Sequence, residues 1–561
     1  MFQSIKDIDP KKIISEKEFQ NVLVLLLNVI EDIQKENAAL KLDKQRLQDE
    51  NNVLKGGNAR PVIKGSKKHL RLRDISSKGK EKGDGESQSK KKNTKAERDP
   101  VEIDQDEIIV DMDKSQLPDD AVFKGFTEFI RQDINIKRNN KRFLLAHYYS
   151  ASEKKSYQAV VPQGEGHFGA GVNSLVNVLH HFGNVTESTM GGLLEGFGIH
   201  ISSGTISNLL KAEHNWAVKE RSAILAAGLE QQAPKQMDCT GNRQRGVSKT
   251  THIITAPSFS VFYTLNSKSR VNCLRALQGN PGADMLLQWR QDMEPQWNTS
   301  GVSRSDCAKA MRLLKENGKE VLSVHELEVL ICQQAPDIYK KKRIINIITE
   351  AMGLLYYKQQ NNFKPLEVLL TDDAPEYCKI APNHGLCWVH DARYYNKLEP
   401  VITVNSDKLK TFMAAYWNFY QKLLDYKVLP VLQQSVEKKK IKKNFDEIFS
   451  QQTCYGALDL CIERTRNNKE KLLTVLDYPG IPLHNNDAEL AARRVVRKRD
   501  ISLHTMTDWG TELRDGFLSI IETAKKLDIS AYQYIHDHIT GQNVMPSLAQ
   551  LITNGLYYRA P

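Results

Sequence analysis

Three widely separated acids are the first residues whose types and places suit chemistry. Asp238 closes the strand-like run Lys235 to Cys239, Asp372 follows Leu369-Leu370-Thr371, and Glu489 lies on a helix opening at Asn485-Asn486-Asp487. A carboxylate at the C-terminal end of a strand reaches the crevice of an α/β sheet. Two such positions and a helical Glu supply the oxygen ligands that Mg²⁺ prefers. Two ions ~4 Å apart can activate a nucleophile and stabilise the leaving oxygen of a phosphoryl displacement. The chain holds 68 Asp and Glu, so the triplet alone selects little, and its surroundings carry more. Arg493, Arg494 and Arg497 follow Glu489 at i+4, i+5 and i+8, and Lys498 and Arg499 extend the patch, with Asp500 the nearby acid. An exposed helix laced with salt bridges is the plain reading. A carboxylate beside so many cations also suits a site that holds metal and grips a phosphate backbone.

Other motifs are less selective. Gly164-Glu165-Gly166-His167-Phe168-Gly169 fits a dinucleotide fingerprint, between a strand-like run and the helical Val172 to Phe182. A second helix start follows where the next strand would be needed, so the run reads as a glycine-rich hinge. Cys387 and His390 form a lone CxxH pair, and a zinc site needs a second pair. Residues 187–211 read as helix, turn, helix, with Ser202 or Ser203 as a cap. Ser203, Thr205, Ser207 and Asn208 are small polar side chains at the start of a helix, suited to major-groove entry. An ordinary αα-corner fits the same pattern.

These residues need a scaffold of several units. The chain has 561 residues, 40% of them hydrophobic, which excludes a wholly disordered protein. Phe19, Leu26, Ile33, Leu40, Leu47 and Leu54 recur every seven residues, alternating with Leu23, Ile30, Asn37, Lys44 and Asn51. Leu at d with Asn at a favours a parallel, two-stranded coiled coil, and Gly56-Gly57 ends the helix. An amphipathic helix lying on the protein's own core is the alternative. Residues 60–98 then carry 14 Lys and Arg against 5 acids, and residues 99–120 carry 9 acids against Lys114. Too polar to repay its ordering entropy, this stretch reads as a linker, and its basic part suits a polyanion such as nucleic acid. Arg142 to Val161 reads as two strands around a polar turn. Lys235 to Cys239, Thr251 to Leu265, Leu366 to Thr371 and Leu386 to His390 read as strands. Residues 280–360 and 403–478 read as helical, and 484–540 as one or two closing helices. Eight cysteines without a paired framework, no signal peptide and no apolar run approaching the ~20 residues of a membrane span suggest a reducing, cytoplasmic compartment.

At the C-terminus the residues resemble a known family. Asn485-Asn486-Asp487-Ala488-Glu489 with Arg493, then Ile521-Glu522-Thr523-Ala524-Lys525 and Tyr532, are similar to the C-terminal motif of IS66-type DDE transposases. Asp238 and Asp372 match that family's first and second catalytic aspartates, and Cys387-Trp388-Val389-His390 with Arg393 matches its Cys-Trp-x-His-x-Arg segment. The resemblance runs from about residue 108 to 542. It implies an α/β RNase H-like catalytic core with helical insertions, preceded by an α-helical helix-turn-helix DNA-binding region and an N-terminal coiled coil. The expected units are 1–57 (coiled coil), 58–107 (linker), 108–230 (DNA-binding region), 231–512 (catalytic domain, with insertions at 273–355 and 403–478) and 513–561 (C-terminal helices). Asp238, Asp372 and Glu489 would hold two Mg²⁺ ions, with Mn²⁺ as a substitute. Water activated there would cut the ends of an insertion sequence, and the freed 3′-OH would attack target DNA. His390, Asn485 and Asn486 would support the acids, and Arg393, with the cations of 493–499, would contact DNA. Partners would be double-stranded DNA (terminal inverted repeats and target), a second copy through the coiled coil, and accessory proteins of the same element, in a bacterial cytoplasm near the nucleoid. The chain departs from the family in having no cysteine before Cys239, where a zinc-binding segment is common, leaving Arg138 to Lys141 as the substitute. Cys239 stands where Glu is usual, and Asp373 where Gly is usual. A catalytically silent DNA-binding descendant and an RNase H-like nuclease are the alternative functions.

Overall fold

The computed structural model describes residues 16–54, 109–110, 124–126, 129–134, 136–160, 166–279, 284–290, 303–359 and 364–555. The chain divides into two units, one of residues 1–67 and 143–561 and one of residues 68–142. In the second unit the described residues form no regular element. The linker expected over 58–107 lies outside the described residues.

In the first unit, α1 (Glu16–Leu54) is one uninterrupted helix through the heptad segment. β1 (His147–Ser150) and β2 (Lys155–Gln158) form an antiparallel pair, as the polar turn between them suggested. Four helices follow: α2 (Ala170–His181), α3 (Glu187–Gly196), α4 (Ser203–Ala212) and α5 (His214–Glu230). Thr186 and Ser202 start α3 and α4 by accepting the backbone N–H of Thr189 and Thr205 at 3.3 and 3.2 Å, as N-caps do. α2 leads into another helix, so among the described residues no βαβ unit follows 166–169, the described part of the glycine-rich run.

The centre is a five-stranded mixed sheet of order β5-β4-β3-β8-β9. β3 (Lys235–Gln244), β4 (Val247–Ala256) and β5 (Phe259–Leu265) are antiparallel neighbours. The β3–β4 turn places Arg245 and Gly246 at φ 46° and 77°, the left-handed pair that a two-residue hairpin requires. The run Thr251 to Leu265, read as one strand, is two, broken at Pro257-Ser258. Proline has no N–H to give a ladder, which explains the break. Successive residues face opposite sides: Met237, Ile254, Val261 and Tyr263 join the main core with α5, whereas Ile253 and Phe262 join a smaller cluster on the other face.

Between β5 and β8 lies the first insertion: α6 (Arg270–Leu277), β6 (Leu286–Gln288), α7 (Arg304–Asn317), β7 (Val321–Ser323), α8 (Val324–Gln334) and α9 (Lys342–Gln359). It is largely helical, as expected, and adds an antiparallel β6–β7 pair. Its Ile344, Ile348 and Met352 enter the main core. β8 (Val368–Thr371) and β9 (Asn383–Leu386) then complete the sheet in parallel with β3. The strand expected over Leu386 to His390 is corrected: the strand ends at Leu386, and α10 (Trp388–Asn396) begins two residues later. The Trp388 N–H donates to the Leu483 carbonyl at 3.0 Å, which takes it out of the ladder.

The second insertion packs α11 (Thr403–Lys427), α12 (Val431–Phe449) and α13 (Gly456–Asn467) around the fully buried Trp388. Tyr416, Phe419, Phe445 and Phe449 surround its ring with centroids 5.4 to 6.4 Å away. The chain then returns to the sheet through α14 (Asn486–Ser502), α15 (Asp508–Lys526), α16 (Ala531–Thr540) and α17 (Leu548–Asn554). α14 supplies Ala491 and Val495 to the cluster beneath Ile253 and Phe262. α15 packs on α5 and β5, and a Cβ on Gly516 would lie 2.9 Å from Ala217. The boundary expected at 512 therefore falls inside a helix. Among the described residues no helix is long and apolar enough to cross a membrane.

Candidate active site

Strand register sets the first two acids. β3 and β8 run parallel with Lys235 opposite Leu369 and Gln236 opposite Leu370, so Asp238 and Asp372 fall on one row of the sheet. Adjacent strands lie about 4.8 Å apart. Asp372 is the first residue after β8, as expected. Asp238 does not end its strand, because β3 continues to Gln244 paired with β4 alone. It marks instead the level at which its other neighbour stops.

The third acid arrives on a helix pinned to the same strand. Buried Asn485 donates from Nδ2 to the Met237 carbonyl at 3.0 Å, and its N–H donates to the Cys387 sulfur at 3.2 Å. Glu489, one turn later, donates its N–H to the Asn485 carbonyl. Asn485 thus ties the start of α14 to β3, and Asn486 takes the first, half-buried position of α14. Burial, and then the charges of Asp372 and Glu489, push the Asp238 carboxyl up to about 6, against the lowering effect of the Cys239 N–H at 2.7 Å.

Two side chains of α10 address Glu489. Arg393 donates from one nitrogen to both of its oxygens, at 2.8 and 3.0 Å, and His390 Nε2 lies 3.3 Å from Oε1. Burial and the charge of Arg393 hold the His390 imidazole below its ordinary range. Arg393, expected on DNA, is therefore a partner of the third acid. Asp373 turns away from the row and meets Arg464 at 2.5 Å, whose other nitrogen holds buried Asp391 at 2.7 Å. No sequence signal pointed to Arg464, which reaches these acids from α13.

The expected DNA contacts separate by exposure. Arg493, Arg494 and Arg497 are exposed on α14, and Ser203 and Asn208 are exposed on α4. Ser207 is half-buried, and the Thr205 hydroxyl pairs with Ser202 at 2.9 Å. Arg499 donates to the Gly241 carbonyl at 2.5 Å. Lys498 is corrected: it is buried and gives its ammonium to the His180 carbonyl, joining α14 to α2. A cation spent inside the protein does not reach a phosphate.

Three carboxylates suit a hard ion, and two buried polar atoms beside them, His390 Nδ1 and Asn485 Oδ1, lack partners. As the side chains lie, no group of three His, Cys, Asp or Glu among the described residues is arranged to hold a metal. Cys387 is buried, its thiol pushed up to about 11 by burial, which suits packing and not zinc ligation.

Residues 357–513 match the model of the IS66 transposase family, a span that contains Asp372, His390, Arg393 and Glu489. Over 331 residues, 59% of this chain and 99% of the relative, the sequence is 30% identical to a protein of Sinorhizobium fredii named "Uncharacterized protein y4jO". No solved structure matches the chain.

Proposed function

The chain belongs to the IS66 family of transposases, and on that premise we propose that it binds the ends of an insertion sequence and catalyses Mg²⁺-dependent strand cleavage and strand transfer. The observation that carries this reading is the shared row of Asp238 and Asp372, with Glu489 brought to the same strand by Asn485. The sheet supports an RNase H-like core: three antiparallel strands continue into two parallel ones, with Asp238 on the central strand and Asp372 just beyond its parallel neighbour.

Asp238, Asp372 and Glu489 would hold two Mg²⁺ ions, with Mn²⁺ as a substitute; such ions supply charge neutralisation at the attacking and leaving oxygens. The chain's own work is positioning. Asn485 fixes the start of α14, and Arg393 and His390 hold the Glu489 carboxylate until a cation competes for it. Arg493, Arg494 and Arg497 offer guanidinium groups to the phosphate backbone. Helices α3 and α4 would read the element ends as a helix-turn-helix, and α1 would pair two copies. Accessory proteins of the same element and target DNA complete the proposed partners.

Asp238→Ala, Asp372→Ala and Glu489→Ala are each expected to abolish divalent-dependent cutting of element-end duplexes while leaving end binding within a few-fold. Cutting retained by any one variant removes that residue from the reading. The Arg393 contact across both Glu489 oxygens favours a second reading, a silent DNA-binding descendant. Under that reading the unaltered protein binds ends and cuts none with any divalent ion.

A further inference from the structure

Arg464, on α13 in the second insertion, grips from behind two elements that carry the acid site. One of its nitrogens donates to Asp373 at 2.5 Å and another to Asp391 at 2.7 Å, and the guanidinium lies 3.5 Å from the centre of the Tyr394 ring. Each of these residues directly follows one already placed at the site: Asp373 follows Asp372, Asp391 follows His390, and Tyr394 follows Arg393. The pattern has a geometric cause. On α10, His390 and Arg393 are three residues apart and share one face, and Asp391 and Tyr394 share the adjacent one. The first face meets Glu489 at 3.3 and 2.8 Å, and the second meets Arg464. Asp372 bonds within its own turn, where Oδ1 accepts the Ala374 N–H at 3.2 Å, and Asp373 ties that turn to α13.

The clamp is itself anchored. Asp391 is buried, and its second oxygen accepts the Thr465 and Tyr416 hydroxyls at 2.7 and 3.1 Å. Asn468, just after α13, gives Asp373 a further donor at 3.3 Å. Resting on the proposed function, we infer that Arg464 is a positioning residue, setting the spacing between Asp372 and the His390–Arg393 pair that holds Glu489. A planar guanidinium presents its donors in a rigid fork, so one side chain fixes the turn after β8 against α10. Groups that orient carboxylate ligands without touching the ion change its affinity by roughly 10–100-fold. Arg464 makes the second insertion part of the frame of the acid site, although its own charge repels a cation.

The test is the Mn²⁺ affinity of the full-length protein without DNA, read from the electron paramagnetic resonance of the free ion, at the site that Asp238→Asn abolishes. The sign of the change separates positioning from charge. By charge alone, Asp373→Asn weakens binding and Arg464→Gln tightens it, because the latter removes a nearby cation. By positioning, both are expected to weaken it, by about tenfold. Removing the partner of buried Asp391 endangers the fold, so Arg464→Lys, which keeps that charge, is measured beside it and is expected to fall between the unaltered protein and Arg464→Gln. In cutting assays the same variants should need correspondingly more Mn²⁺ for half of their maximal rate. Circular dichroism and thermal midpoints check the fold, and a lower midpoint with unchanged Mn²⁺ affinity assigns Arg464 to stability alone, which overturns the inference. Affinity in Arg464→Gln equal to or above that of the unaltered protein overturns it while the acid site stands. Should that variant not fold, unchanged affinity in Arg464→Lys does the same. Mn²⁺ binding by the unaltered protein that is indifferent to Asp238→Asn overturns the acid site and the inference together.

Discussion

A solvated aspartate titrates near 4; Asp238, sunk beside Asp372 and Glu489, titrates at about 6. The sign follows from linkage. The folded value lies above the unfolded one, so the native state binds the proton more tightly, and ionisation at neutral pH costs stability. That cost builds between pH 4 and pH 6 and is constant above. Asp238→Asn keeps an oxygen for the Cys239 N–H and removes the charge. It is expected to raise unfolding stability at pH 7.5 by on the order of 2–3 kcal/mol, read as a higher urea midpoint, while activity is lost. The gain should vanish as the pH is lowered to 4. A variant less stable than the parent at every pH overturns this account of a site strained by its own acids. The places of Asp238, Asp372 and Glu489 in the fold were legible because each has a local context, a strand or a helix start. Arg393 was legible as a residue and not as a contact, since its carboxylate lies 96 residues away.

Edge strands expose backbone N–H groups that must find partners, and β5 finds them on a helix. Asp515, Ser519 and Thr523, at four-residue steps on α15, accept the N–H groups of Thr264, Phe262 and Ser260 at 2.6, 3.0 and 3.1 Å. Four residues of helix rise about 6 Å and two of strand about 6.6 Å, so the two ladders keep step. Ser519→Ala would leave the buried Phe262 N–H without an acceptor and is expected to cost about 1–3 kcal/mol. A lower urea midpoint at unchanged slope is the sign, and no change would mean that water reaches the edge. This device was not visible in the sequence, where Ile521-Glu522-Thr523 read only as part of a family motif. Helical starts with side-chain caps, such as Ser202, were visible because capping is local. The start of α10 was not: Leu386-Cys387-Trp388-Val389 is apolar enough for a strand, and the carbonyl that redirects it belongs to Leu483. Runs this short do not separate helix from strand by pattern.

The whole molecule turns on α1, whose two sides have different fates. On one side Glu31 is buried and accepts the N–H groups of Val401 and Ile402 at 2.6 and 3.1 Å, at the start of α11. Asn28 likewise accepts the Gly456 N–H at 3.1 Å at the start of α13. On the other side Phe19, Leu23, Leu26, Ile30, Ile33 and Leu40 are 40 to 59% exposed. In heptad terms the docked residues are at b and f and the exposed ones at a and d. A two-stranded coil buries a and d and leaves b and f outside. The expectation of a helix on the protein's own core therefore holds for the docked face, and the exposed heptad face is the one we propose pairs with a second copy. Ile33→Glu with Leu40→Glu is expected to lower the mass seen by light scattering from twice 63.8 kDa to 63.8 kDa. The fold should persist, because neither side chain is buried in a single copy. Glu31→Ala should act oppositely, keeping the dimer while leaving the Val401 and Ile402 N–H groups unpaired, so that protease cuts α1 from the body more readily. A dimer indifferent to the glutamates would place the pairing surface elsewhere. Monomers from Glu31→Ala would make the docked face, and not the heptad seam, the element that joins two copies.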